Sequence, residues 1–206
     1  MGSQLVITPV ENLQEKVNNI VKSFKDIPGI YISLNKTQES IEKIFKRKRI
    51  KTDRLFFIDC VTSEKTRDDV LHISPFQLDL ITSAINAFVR DVKGKKFIVI
   101  DALSPLLIYN TEDKVAEFIK DIKDCISKAN VKFIVLSPKT RGKELLERVF
   151  AFFDRVEQDE HICPREILEW INEMRRDFPT DEGHVLCETW ADDVQAWKKK
   201  WLGERE

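Results

Sequence analysis

Apolar positions in the first 157 residues alternate between two periods. Short runs rich in β-branched and aromatic residues read as strands at residues 5–8, 30–34, 55–60, 97–100, 131–136 and 152–156. Longer stretches with helical spacing lie between them, at residues 13–24, 37–49, 75–92, 113–128 and 143–149. In the first of these, Leu13, Val17, Ile20, Val21 and Phe24 recur on one face. For residues 75–92 the pattern turns Phe76, Leu80, Ala84, Ala87 and Phe88 inward. Residues 55–60 are continuously apolar, which predicts a strand covered on both faces. Strands alternating with helices of this length predict an α/β fold, a mostly parallel sheet with helices on both faces. Right-handed crossovers then gather the carboxyl ends of the strands along one edge, where such folds bind ligands.

The pattern changes near residue 158. Residues 164–178 read as a helix with Pro at its first turn and a stripe of Ile167, Trp170, Ile171, Met174 and Phe178. Thr189 can cap a second helix striped by Trp190, Val194, Trp197 and Trp201, so a C-terminal helical hairpin is expected. Charge shifts at the same place: residues 158–206 carry 7 Lys/Arg against 13 Asp/Glu, and the remainder 27 against 22. The expected organisation is an α/β domain over 1–157 and an acidic, Trp-rich helical module over 158–206.

Composition excludes several classes. One residue in three is charged and the longest apolar runs are far too short to span a bilayer, so no membrane partner is expected. The four cysteines do not form a secreted disulfide pattern, Cys60 and Cys125 read as core thiols, and no secretory leader is evident, so a cytoplasmic location is expected. The run Phe45-Lys46-Arg47-Lys48-Arg49-Ile50-Lys51 has no interleaved aromatics, and it reads as cations complementing a helix C-terminus rather than as a nucleic-acid contact. His72 alternates with apolar residues and reads as a strand-edge or loop residue, not a general base.

Three segments carry a resemblance. They are Ile30-Tyr31-Ile32-Ser33-Leu34, Leu55-Phe56-Phe57-Ile58-Asp59-Cys60, and Phe97-Ile98-Val99-Ile100-Asp101-Ala102-Leu103-Ser104-Pro105-Leu106-Leu107. In this order they resemble the RecA/KaiC-type ATPases, particularly short archaeal single-domain members, with the last segment similar to a Walker B strand. The resemblance implies a RecA-like fold. In that family a Gly-rich loop after the first strand cradles phosphates with backbone N–H groups and a lysine. Here residues 9–16 contain no glycine, Pro9 lacks a donor, and Glu11 and Glu15 would repel an anion. Lys16 reads as a solvated helix charge. The resemblance also places acidic residues after the second strand in members that hydrolyse ATP, and the matching positions are Asn35 and Lys36, neither of which can act as the base.

The resulting expectation is a non-catalytic pseudo-ATPase with a degenerate P-loop, acting as a protein-interaction or regulatory module through a protein partner or self-association. The alternative is a nucleotide- or anion-sensing domain that does not turn its ligand over. Candidate ligand-binding residues at the strand carboxyl edge are Lys36, Asp101, Ser104 and Lys139, with Thr8, Asn35, Asp59 and Ser137 nearby. Asp101 reads foremost as an acid that ends a buried strand, and secondarily as a Mg²⁺ ligand. No cofactor is expected in this domain. In the tail, His161, Cys163, His184 and Cys187 offer the imidazole and thiolate donors of a tetrahedral zinc site, although their order is not a well-known finger spacing.

Overall fold

The structure, a computed structural model, describes residues 2–62, 67–139 and 143–159. The expected tail hairpin and its His/Cys set lie outside the described residues. Chain order is β1 (Ser3–Thr8), α1 (Val10–Ser23), β2 (Gly29–Ser33), α2 (Gln38–Arg47), β3 (Leu55–Asp59), β4 (Val70–His72) and α3 (Leu78–Asp91). It continues with β5 (Lys96–Asp101), a 3-10 turn (Ser104–Ile108), α4 (Glu112–Ile126), β6 (Val131–Pro138), α5 (Lys143–Val149), a second 3-10 turn (Phe150–Phe152) and β7 (Arg155–Gln158).

Local chemistry explains the boundaries. The connection from β1 to α1 is the single residue Pro9, whose fixed φ leads directly into a helix. Thr37 caps α2 by accepting from the Ser40 N–H at 3.3 Å, and Thr111 caps α4 by accepting from the Lys114 N–H at 3.4 Å. At the other end of α2 the chain reverses at Arg49, which takes a left-handed φ of 55°, and Ile50 N–H then donates to Phe45 C=O at 2.9 Å. The basic run therefore does sit at a helix C-terminus.

Seven strands form one sheet in the order β4-β3-β2-β5-β6-β1-β7, and every pairing is parallel. Buried apolar residues form two clusters, one on each face. One joins the sheet to α3, α4 and α5 through residues such as Ile81, Ile85, Ile119, Ile122 and Leu146. The other joins it to α1 and α2 through Leu13, Val17, Ile41 and Phe45. All six residues of β5 are buried, as its central position demands. Each fully buried Ile or Phe here contributes about 1.5–3 kcal/mol relative to exposure.

Three readings from the sequence pattern need correction. β3 is covered on both faces from Phe57 to Cys60 but not at its start, where Phe56, set against the ring of Phe88 at 5.5 Å, stays 53% exposed. In α3 the buried stripe is Leu78, Ile81, Ile85 and Phe88, leaving Phe76 and Leu80 outside. Both stripes have helical spacing, and only the position of the sheet selects between them. The last strand is Arg155–Gln158 rather than 152–156, since a 3-10 turn takes up Phe150–Phe152. The pattern also missed β4, whose three residues are too few to show a period.

Candidate functional site

The sheet order sets where a site can form. From β2 the chain crosses through α2 to β3 on one side, and from β5 it crosses through α4 to β6 on the other. Adjacent strands whose crossovers leave in opposite directions open a crevice at their carboxyl ends, so this topological switch point lies between β2 and β5. The segments bordering it begin with Leu34 and with Ala102.

Register lays four polar residues across this edge. Asp101 of β5 pairs with Ser33 of β2, Ser33 with Asp59 of β3, and Asp59 with His72 of β4. Residues in register on parallel strands share a face, so acid, hydroxyl, acid and imidazole line the α1/α2 face, two residues above Val99, Tyr31, Phe57 and Val70. Ser33 carries no signal in the sequence pattern, and His72, which reads there as a strand-edge or loop residue, does end the edge strand β4. The signal that could have found them is the common end-position of each strand, which requires the register.

Asp101 is 1% exposed and accepts from the hydroxyl of Tyr31, itself wholly buried between Phe45 and Phe57. The second carboxylate oxygen has no partner among the described residues. Burial pushes the Asp101 carboxyl above its ordinary range, opposed by the Tyr31 hydrogen bond and the charge of Lys36. Burial, then the Asp101 charge, hold the Tyr31 phenol well above its usual value. Asp59 differs. Burial works upward on it, but N–H groups of Gln38, Thr62 and Val61 and the Thr62 hydroxyl all donate to it, and its carboxyl stays below the ordinary range. Two further groups here lack partners among the described residues: Gln38 Nε2 and both His72 ring nitrogens.

The residues expected from sequence distribute along this edge. Lys36 is half-buried, follows β2 and acts electrostatically on Asp101, and its carbonyl accepts from the Ser33 hydroxyl. Ser104 opens the 3-10 turn beyond β5. Lys139 stands apart from Lys36: it follows β6, and its N–H donates to Thr8 C=O at 3.1 Å. Strands β2 and β6 are about 10 Å apart, with β5 between them. Cys60 is a core thiol, which burial and the neighbouring Asp59 push up to about 12, whereas Cys125 is only half-buried.

Lys16 is not a free helix charge. Its ammonium lies 2.7 Å from Asp159 and 3.1 Å from Glu157, the acids at the end of β7, and these hydrogen bonds raise its pKa. The buried Thr8 hydroxyl donates to the other Asp159 oxygen at 2.7 Å. The carboxyl end of β1 thus meets a carboxylate from its own chain. The other end of β7 is tied similarly. Asp154 accepts from Ser3 N–H at 2.7 Å, from Ser3 Oγ at 3.0 Å and from Lys123 at 2.9 Å, and its carboxyl is held down to about 2. Ser3 is thereby part of β1, outside the strand that the pattern placed at residues 5–8.

The fold is a parallel α/β sheet with helices on both faces, a fold that the chain shares with a KaiC-like protein. It is similar to the KaiC-like protein PH0186 from Pyrococcus horikoshii OT3, at 14% identity and a TM-score of 0.54, over 75% of this chain and 69% of that one. It is similar also to the uncharacterised protein PH0321 of Pyrococcus horikoshii, solved in complex with an unknown peptide, at 15% identity, a TM-score of 0.60 and 76% coverage of both chains. A third structure, PH0250 from the same organism, matches at 11% identity and a TM-score of 0.52, over 77% and 82%. No curated protein matches the chain. The family model for DUF835, a protein of unknown function, matches residues 10–150, and the chain belongs to that family.

Proposed function

We propose that this chain is a RecA/KaiC-like domain that does not hydrolyse ATP and works by binding another protein. The observation that carries this reading is the state of the β1 end. A phosphate cradle needs several consecutive N–H donors around the anion and a lysine free to neutralise it. Here the connection is Pro9 alone, and Lys16 is already neutralised by Glu157 and Asp159. At the switch point, Asn35 and Lys36 offer no base for water. The solved peptide complex of the similar protein PH0321 is consistent with a binding role for this fold, at a level of identity that shows the fold alone.

Release of inorganic phosphate from ATP and Mg²⁺, measured on clean protein, tests this reading; the expected rate is that of buffer. A rate above buffer that disappears in Asp101→Asn would refute it.

A second reading has its own support. Gln38 Nε2 and the His72 ring nitrogens have no partner among the described residues on the carboxyl-end edge that Lys36 also borders, and these nitrogens and the lysine suit a small anionic ligand bound without turnover. Thermal-shift titration with ATP, ADP and cyclic nucleotides separates the two readings. A ligand at 100 times its Kd stabilises the fold by about 2.7 kcal/mol. A dose-dependent shift lost in Lys36→Met favours sensing, and a constant midpoint at millimolar ligand favours the binding module.

A further inference from the structure

One surface stands apart from the rest of the domain. Residues 73–89 contain one charged side chain, Asp79, and residues 102–111 contain none, in a chain that is 33% charged. The fold brings these two stretches together: the Asn110 side-chain amide donates to Pro75 C=O at 2.9 Å and to Leu106 C=O at 3.1 Å, fixing the end of the 3-10 turn against the entry of α3. Four large apolar side chains are left outward at this corner. Phe76 is 61% exposed, Leu80 51%, Ile108 68% and Tyr109 56%. Together they present on the order of 500 Å², the size at which an exposed apolar patch on a soluble domain marks an interaction site.

The charge pattern selects the occupant. Contact with an anionic membrane surface needs lysines or arginines around the apolar side chains, and neither stretch has one. The one charge is the exposed carboxylate of Asp79, beside Leu80 in the first turn of α3. Glu112 and Asp113 open α4 just beyond Asn110, and Arg148 of the same chain pairs with Asp113. Asp79 has no ion pair among the described residues. An apolar patch with an unmet acid at its rim is complementary to a segment that presents apolar side chains with a basic neighbour.

We propose that the Phe76–Leu80–Ile108–Tyr109 corner is the docking surface of the domain, and that its occupant is a segment of a partner protein carrying apolar side chains flanked by Lys or Arg. This rests on the protein-binding reading above and names the surface and the partner's chemistry. Edge charge sets orientation and selectivity more than affinity, so Asp79 discriminates while the apolar residues hold.

The test uses the full chain and two synthetic amphipathic peptides of Leu and Phe, one with Lys on its polar face and one with Glu there, followed by fluorescence anisotropy. The Lys peptide is expected to bind at least tenfold more tightly than the Glu peptide. Ile108→Asp should weaken it at least tenfold with an unchanged melting midpoint, since that side chain already faces solvent. Asp79→Asn should remove most of the discrimination between the peptides. Equal binding of the two peptides by the unmodified chain overturns the proposal, as does unchanged binding by Ile108→Asp. A dimer in sedimentation analysis that Ile108→Asp dissolves would assign the surface to a second copy instead. Binding to phosphatidylserine vesicles that Ile108→Asp abolishes would assign it to lipid; both results overturn it. Phosphate release from ATP leaves these outcomes untouched, so failure of the surface and failure of the non-catalytic reading are separable.

Discussion

Replacing Tyr31 with Phe isolates what Asp101 does for the fold. Both side chains are buried, at 0% and 1% exposure, and the Tyr31 hydroxyl is the one hydrogen-bond donor to the Asp101 carboxylate among the described residues. Its loss strands a buried carboxylate, and hydrogen bonds to charged groups are worth about 1.5–3 kcal/mol. A cost of about 2–3 kcal/mol lowers the melting midpoint by roughly 4–12 °C in a chain of this size. Asp101→Leu strands the phenol instead and costs about 1–3 kcal/mol, whereas the double variant replaces both partners by apolar groups and should lie close to the unmodified chain. The pH dependence has a definite sign. A buried acid with a raised pKa binds its proton more tightly folded than unfolded, so it penalises folding above its folded pKa and the penalty fades on acidification. Removing the Tyr31 hydroxyl deepens that penalty only while Asp101 is ionised. The gap between Tyr31→Phe and the unmodified chain should therefore narrow as pH falls. Urea unfolding of the four variants at pH 7 and pH 5 measures all of this. Strictly additive single effects, or a gap that widens in acid, would refute the reasoning.

Two further outcomes follow from the same structure. The Asp154 carboxyl, held down to about 2 by Lys123 and Ser3, stabilises the fold above the ordinary Asp value and loses that contribution as pH falls through about 2. Urea midpoints should accordingly place Asp154→Asn below the unmodified chain at pH 6, with the difference closing toward pH 2; a constant difference contradicts the clasp. At Gly29, a Cβ would lie 2.3 Å from the ring of Phe97, which is buried and stacked on Phe24 at 4.8 Å. Gly29→Ala should cost about 1–3 kcal/mol by overpacking, and Gly29→Ala with Phe97→Leu should recover part of it in the same assay.

Much of the fold was legible in the sequence. The short β-rich apolar runs and the helical stretches specify strands and helices almost in full, and their alternation points to a parallel sheet, because an amphipathic helix returning between apolar strands has only the sheet to cover. Phe97–Asp101 could be read as a buried strand ending in an acid, and the structure places it at the sheet centre. Short or ambiguous elements were not legible. β4 has three residues, and residues 76–85 carry two apolar sets at helical spacing, Phe76-Leu80-Ala84 and Leu78-Ile81-Ile85, although Phe76 lies ahead of α3.

The chain's own residues thus determined the elements, the fold class and the absence of glycine after β1, since each depends on neighbours within a few positions. Tertiary structure alone decided which side of α3 faces water, that Ser33 and His72 join Asp59 and Asp101 in one row, and that Lys16 meets Glu157 and Asp159. Those facts depend on the order and register of strands far apart along the chain. Register is set by the packing of whole faces, and no local window of sequence contains it.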